Sequence, residues 1–309
     1  MNLKVKPLLV LGLVLAVAAV VFNQTVGFKE AYESLSSDGS SAGNGDAAPA
    51  GGQDFVSSID RPRAVVWAVG DGGTNSPQAA RVARSIADAD VDRLLYLGDV
   101  YDRGTSEEFE TNYEPTYGGL AALTAPTPGN HDASLAAQGY DPYWQEALGA
   151  PTPRYYAFRV SGWQILSLNS EINHDPGSPQ LRWLHRQVAT GGDCRIAFWH
   201  RPRFSAGLHG DQPDIEPLWS AVRGRARIVL NGHDHDMQRF PPRGGTTEFV
   251  SGAGGASLYG IDESDPRLRF SNDSQYGALR LELRPQHADY SFITAAGEVL
   301  DRGSVSCDR

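Results

Sequence analysis

The sequence predicts an α/β fold, on three observations: short apolar runs that read as buried strands, amphipathic stretches with helix-start signals between them, and polar motifs just past the strand ends. The first run, Ala64-Val65-Val66-Trp67-Ala68-Val69, ends just before Asp71. Asn75-Ser76-Pro77 then opens a helix that continues through Ile86, with Ser76 as N-cap and Pro77 at the first helical position. Leu94-Leu95-Tyr96-Leu97 is a second strand and runs into Asp99. Trp163-Gln164-Ile165-Leu166-Ser167-Leu168 is a third, followed by Glu171 and His174. Ser178-Pro179 opens another helix, in which Leu181, Leu184 and Val188 recur at i, i+3 and i+7 on one face. Ile196-Ala197-Phe198-Trp199 runs into His200, and Ile228-Val229-Leu230 runs into Asn231-Gly232-His233. Ligand sites of open α/β sheets lie at the carboxyl ends of strands, where these polar residues fall.

Five short motifs follow one another there. They are Gly70-Asp71-Gly72-Gly73, Gly98-Asp99-Val100-Tyr101-Asp102, Gly129-Asn130-His131-Asp132, Trp199-His200-Arg201-Pro202 and Gly232-His233-Asp234-His235. Each joins a glycine or strand end to Asp, Asn or His, donors that suit hard to borderline divalent or trivalent metals. Taken singly, an Asp after a strand is a turn former or helix cap that bonds nearby backbone N–H groups. Five in series at strand ends point instead to a two-metal hydrolytic site.

This series resembles the calcineurin-like metallophosphoesterase superfamily and, within it, the purple-acid-phosphatase-like branch that includes bacterial secreted members. The resemblance implies a four-layer αββα sandwich, with two mixed β-sheets inside, helices outside and metal ligands at the sheet edge. It places a first metal on Asp71, Asp99 and His235, and a second on Asp99, Asn130, His200 and His233. Asp99 then bridges the pair. A bridging carboxylate holds two cations about 3.5–4 Å apart, and a hydroxide between them attacks phosphorus in line. The neutral Asn130 oxygen limits the negative charge around the metals. His131 is not a ligand on this reading. In the family that position contacts substrate or protonates the leaving group, and Asp132 is placed to orient its imidazole.

Two departures matter. Many superfamily members carry Asp-x-His in the first motif, where this chain has Gly73. The purple-acid-phosphatase branch uses a tyrosinate three residues after the bridging aspartate; here that residue is Asp102, and Tyr101 stands one position early. Gly98 to Gly104 is closer to the second motif of the serine/threonine protein phosphatases. Three outcomes stay open: Tyr101 reaches the first metal, Asp102 takes its place, or neither does. Tyr101 is the preferred ligand and suits ferric iron, whereas Asp102 suits manganese, ferrous iron or zinc. The cofactor is therefore expected to be two metal ions, with Fe, Mn and Zn all open. His209 follows His200 at about the spacing of a pocket histidine in the purple acid phosphatases that can act as acid. Arg201 and Arg203 are candidates for phosphate oxygens, against the ordinary reading of loop arginines as solubilising charge. Glu171 and His174 are candidates for the pocket rim. His185 and His287 are assigned no chemistry.

Outside the motifs, composition sets the organisation. Residues 1–26 are read as a signal peptide or N-terminal membrane anchor. Lys4 and Lys6 precede a nearly apolar run from Pro7 to Phe22, short against the roughly 20 residues that a spanning helix needs. Ala16-Val17-Ala18 resembles a cleavage site, but Ala19 to Phe22 stay apolar, so an uncleaved anchor stays open. Either way the remainder is expected outside the cytoplasmic membrane, secreted or tethered. Residues 27–59 are read as a flexible linker, dominated from about Ser34 by Ser, Gly, Asp, Asn and Ala. Residues 60–309 are the catalytic domain, long enough for one two-sheet core. The net charge of −10 argues against nucleic-acid binding through a basic surface. Cys194 and Cys307 are a candidate disulfide that pins the C-terminal tail, with two free thiols as the alternative. The expected function is an extracytoplasmic bimetallic phosphoesterase that hydrolyses small phosphate monoesters through a metal-bridging hydroxide. A phosphodiesterase on cyclic nucleotides or phospholipid headgroups, and a degenerate metal- or phosphate-binding module, are the alternatives.

Overall fold

The computed structural model describes residues 55–189 and 194–307. The expected signal or anchor, and the linker up to residue 54, lie outside the described residues. β1 (Ala64–Val69), β2 (Arg93–Tyr96) and β3 (Thr124–Pro126) pair in parallel, in that order. The chain then crosses to a second sheet. There β5 (Trp163–Ser167), β6 (Cys194–Phe198), β7 (Ile228–Asn231) and β9 (Thr247–Ser251) run parallel. β4 (Tyr156–Val160) flanks them antiparallel on one side, β8 (Met237–Arg239) pairs antiparallel with β9 on the other, and β10 (Phe270–Asn272) pairs antiparallel with β8. The chain returns as a meander, β11 (Gly277–Arg284), β12 (His287–Thr294) and β13 (Val299–Ser306), with β11 antiparallel to β1. Among the described residues both sheets are therefore mixed, of six and seven strands.

The principal helices are α1 (Pro77–Ala87), α2 (Tyr140–Leu148), α3 (Pro179–Val188) and α4 (Glu216–Val222). The two helix starts marked by Ser-Pro form as the sequence indicates. Ser76 Oγ accepts from Ala79 N at 3.0 Å, and Ser178 Oγ accepts from Leu181 N at 3.2 Å. Residues along the central strands alternate between two cores. Ile165, Ile196, Phe198 and Leu230 pack with Val66, Leu279 and Phe249 between the sheets. Leu166, Ala197 and Val229 pack with Leu184 of α3 and Trp219 of α4 on the outer side. These strands carry consecutive apolar residues because both of their faces are covered. The result is an α/β sandwich with helices outside two sheets.

Three further contacts position the site. Gly70 N donates to Ser251 O at 2.9 Å and Ser251 Oγ to Ala68 O at 2.9 Å, so the ends of β1 and β9 meet and both sheets open onto one edge. The Cys194–Cys307 disulfide joins the start of β6 to the residue after β13, linking the two sheets. Phe55 and Val56 are buried in the core, and Ile59 N donates to Arg159 O at 2.8 Å, so packed structure begins before residue 60. Among the described residues no helix is long and apolar enough to cross a membrane.

Candidate metal centre

The five motifs converge at the carboxyl ends of β1, β2, β3, β6 and β7. Close approach of the loops depends on small residues. A Cβ at Gly98, whose φ is +102°, would stand 2.7 Å from both Gly129 N and His200 Nδ1. A Cβ at Gly129 would stand 2.0 Å from Asp99 Oδ1. Asp71, Asp99 and His233 themselves have φ of 60°, 72° and 72°. That left-handed conformation costs about 1 kcal/mol or more per residue and persists only where surrounding structure imposes it. Three such residues at one edge mark a functional site.

Asp71, Asp99 and His200 each offer a ligand atom, and these atoms all lie within 4.8 Å of one another; two groups of donor atoms adjoin them. In the first group, Tyr101 OH donates to Asp71 Oδ1 at 3.0 Å and lies 2.7 Å from His235 Nε2. His235 Nδ1 donates to the Ser257 carbonyl at 2.8 Å, which leaves Nε2 as an acceptor facing the phenol. One phenolic proton thus meets two acceptors. In the second group, His200 Nδ1 donates to Leu97 O at 2.8 Å. Its Nε2 lies 3.0 Å from Asn130 Oδ1, 3.2 Å from His233 Nδ1 and 3.3 Å from Asp99 Oδ2. His233 Nε2 is buried with no hydrogen-bond partner among the described residues.

This crowding of acceptors calls for positive charge, and the titration behaviour expresses the same demand. Burial depresses His200, but the Asp99 carboxylate overrides it and holds the imidazole up at about 10. Burial raises Asp99, and His200 with His131 more than reverses that, leaving its carboxyl well below the usual range. Burial drives His235 down to about 4, lowers His233, and pushes the Tyr101 phenol well up. A proton on His200 or a metal cation supplies the missing charge. Imidazoles that donate through one nitrogen to a backbone carbonyl and present the other to the cluster are arranged as metal ligands are. The donor set fits two cations.

The other predicted residues sort clearly. Of the two candidates for the first metal, Tyr101 is brought to the cluster and Asp102 is exposed at the surface. His131 lies beside the second group, with Nε2 4.0 Å from Asp99 Oδ2. Asp132 does not orient it as expected. Its buried carboxylate accepts from Gly129 N at 2.6 Å and caps the Asn130–Ala133 turn, while His131 Nδ1 lies 2.6 Å from the Asp102 carbonyl oxygen. His209 is half-buried and stacks on His233 with ring centroids 4.2 Å apart. Arg201 pairs with Glu171 at 3.0 and 3.1 Å. Arg203 is drawn away to Glu216 at 2.6 Å, and His174 is tied to the Ile172 and Asp214 carbonyls. Sequence reasoning missed Asp234, whose Oδ1 lies 3.0 Å from His209 Nδ1, and Tyr259, which stacks on His235 at 4.0 Å. Asp234 stood inside the fifth motif; Tyr259 carried no local signal.

Residues 64–237 match the calcineurin-like phosphoesterase family. The chain belongs to that family. It is accordingly a metal-dependent hydrolase of phosphoric esters. This phosphoesterase is 26% identical over 293 residues to the mouse tartrate-resistant acid phosphatase type 5, covering 77% of this chain and 89% of the relative. In fold it is similar to purple acid phosphatase PPD1 from yellow lupin seeds, with TM-score 0.67, 17% identity, and 84% and 55% of the two chains covered. It is also similar in fold to GAP50, the anchor in the inner membrane complex of Plasmodium, with TM-score 0.66, 15% identity and 81% and 90% covered.

Proposed function

We propose that the enzyme hydrolyses small phosphate monoesters outside the cytoplasmic membrane. Asp71, Asp99, Tyr101 and His235 would hold a first metal ion, and Asp99, Asn130, His200 and His233 a second, with ferric iron suited to the tyrosine-bearing site. When bound, the two cations neutralise phosphate charge and acidify water at the phosphorus. The observation that carries the reading is the convergence of bare acceptor atoms from both sheets around Asp99.

The chain's own residues complete the chemistry. The Asp102 carbonyl can only accept, so His131 keeps a proton on Nδ1 and turns Nε2 toward Asp99 and the site. With Nε2 also protonated, His131 donates that proton to the departing alkoxide, the step that a monoester with a poor leaving group needs. His209 is oriented by Asp234 and stacks on His233, as a second contact for the phosphoryl group. Arg201, already paired with Glu171, lines the edge next to His200 as a substrate-binding residue. The acid phosphatase relatives support the monoester assignment. The disulfide supports an oxidising compartment.

The test is turnover of the full-length protein loaded in turn with Fe, Mn and Zn, on paired aryl phosphate monoester and diester substrates. Faster monoester hydrolysis is expected. Diester preference would make it a phosphodiesterase, and metal binding without turnover of either ester would make it a binding module. Recovery of the native protein in the cytosolic fraction would overturn the location.

A further inference from the structure

The tyrosine of the second motif stands one position earlier than the family pattern requires, yet its phenol sits in the cluster. Something outside the motif must shape the loop. Two side chains, one helical turn apart, bond the carbonyl and the N–H of the Tyr101–Asp102 peptide. Asn112 Nδ2 donates to Tyr101 O at 2.6 Å, and Glu108 Oε1 accepts from Asp102 N at 2.7 Å. Glu108 Oε2 also accepts from Arg103 N at 3.1 Å and Thr105 N at 2.9 Å. The carbonyl of Asp102 is the partner of His131 Nδ1, so the same short loop supports both the phenol and the imidazole.

We propose that Glu108 and Asn112 are positioning residues, a clamp that sets the Tyr101 phenol at the first metal and the His131 imidazole beside the second. Glu108 also closes a capping box with Thr105, and a cap alone would be the bland account. A cap does not explain the bonds to Asp102 N and Arg103 N, nor the Asn112 contact. The clamp is itself anchored. Asn112 O accepts from Asn75 N at 3.2 Å, and its neighbours Phe109 and Tyr113 are buried against Tyr143 and Trp144. A loop with three backbone N–H groups aimed at one carboxylate loses its shape when that carboxylate is removed, because those donors must find other partners.

The proposal rests on ligation of metal by Tyr101, and the experiment separates the two claims. The full-length protein is loaded with ferric iron, and the visible phenolate-to-iron charge-transfer band is recorded with kcat, KM and melting temperature. Wild type, Tyr101→Phe, Glu108→Ala, Glu108→Gln and Asn112→Ala are compared. Tyr101→Phe is expected to abolish the band. Glu108→Ala and Asn112→Ala are expected to shift or weaken it and to lower kcat by about 10- to 100-fold, the range for outer partners of metal ligands, with KM changed less. Glu108→Gln keeps one acceptor and is expected to recover part of both. If Glu108→Ala does not fold, Glu108→Gln and Asn112→Ala carry the comparison. An unchanged band and kcat in the Glu108 and Asn112 variants, with the band lost in Tyr101→Phe, would overturn the clamp and leave the ligand assignment standing. No band in the ferric wild type, or a band that survives Tyr101→Phe, would overturn the ligand assignment and the clamp with it.

Discussion

Glu248, fully buried on β9, reaches the backbone of the loop that follows His200. Its Oε1 accepts from Arg203 N at 2.8 Å and Phe204 N at 3.4 Å, and Oε2 has no hydrogen-bond partner among the described residues. Burial pushes this carboxyl up to about 8 from an ordinary value of 4.5. The folded protein thus keeps a proton that the unfolded chain releases, and folding stability from this group falls as pH rises between those two values. Each pH unit in that window costs about 1.4 kcal/mol, and the whole shift amounts to about 5 kcal/mol. The second figure is a ceiling, since any water that reaches the ionised carboxylate reduces the penalty. Glu248→Gln retains the Oε1 acceptor and removes the titration. Denaturant unfolding of both metal-loaded proteins at a series of pH values gives the difference free of other groups, because the remaining carboxyls titrate in both. The variant is expected to gain on wild type by up to about 1.4 kcal/mol per pH unit until pH 8 and to hold that advantage above it. A difference that stays flat across the window refutes the reasoning.

Three other outcomes are expected. Asp99→Asn removes the charge shared by the two donor groups, so turnover should fall by more than the ~100-fold typical of outer partners, with less than a full pair of metal ions retained by mass spectrometry; near-normal turnover would sink the two-metal assignment. Cys194→Ser with Cys307→Ser opens a loop with a sequence separation of 113. Chain entropy puts the loss at about 5 kcal/mol, read by guanidinium unfolding, with kcat unchanged because the bond lies at the start of β6, the end opposite His200; equal stability would show that the bond does not form in solution. His131→Ala should reduce kcat much more on alkyl phosphates than on nitrophenyl phosphate, whose leaving group needs no proton. Equal losses on the two substrates would remove His131 as the donor.

What could be read in the sequence, and what could not, divides along a physical line. The central strands were legible because Ile165, Ile196 and Ile228 face one core while Leu166, Ala197 and Val229 face another, so apolar residues stand next to each other in each run. Helix starts at Ser76-Pro77 and Ser178-Pro179 were legible because their caps are local. The β11–β13 meander was not singled out: its strands carry no motif, β11 and β12 mix buried with half-buried positions, and β13 has no buried residue. The series of motifs marked Asp71, Asn130 and His200 as donor candidates, and the family resemblance assigned them to the metals. Side-chain direction was a different matter. Tyr101 and Asp102 are adjacent, and which of them turns inward is decided by contacts from Glu108 and Asn112 that no pattern within the motif contains. Asp132 misled for a related reason. A carboxylate next to a histidine is conspicuous in sequence, but the partner of His131 is a backbone carbonyl, a group that every residue carries, so only the folded path of the 98–105 loop could nominate it. Chemistry-bearing residues are thus announced by type, whereas the groups that aim them are ordinary atoms made specific by the fold.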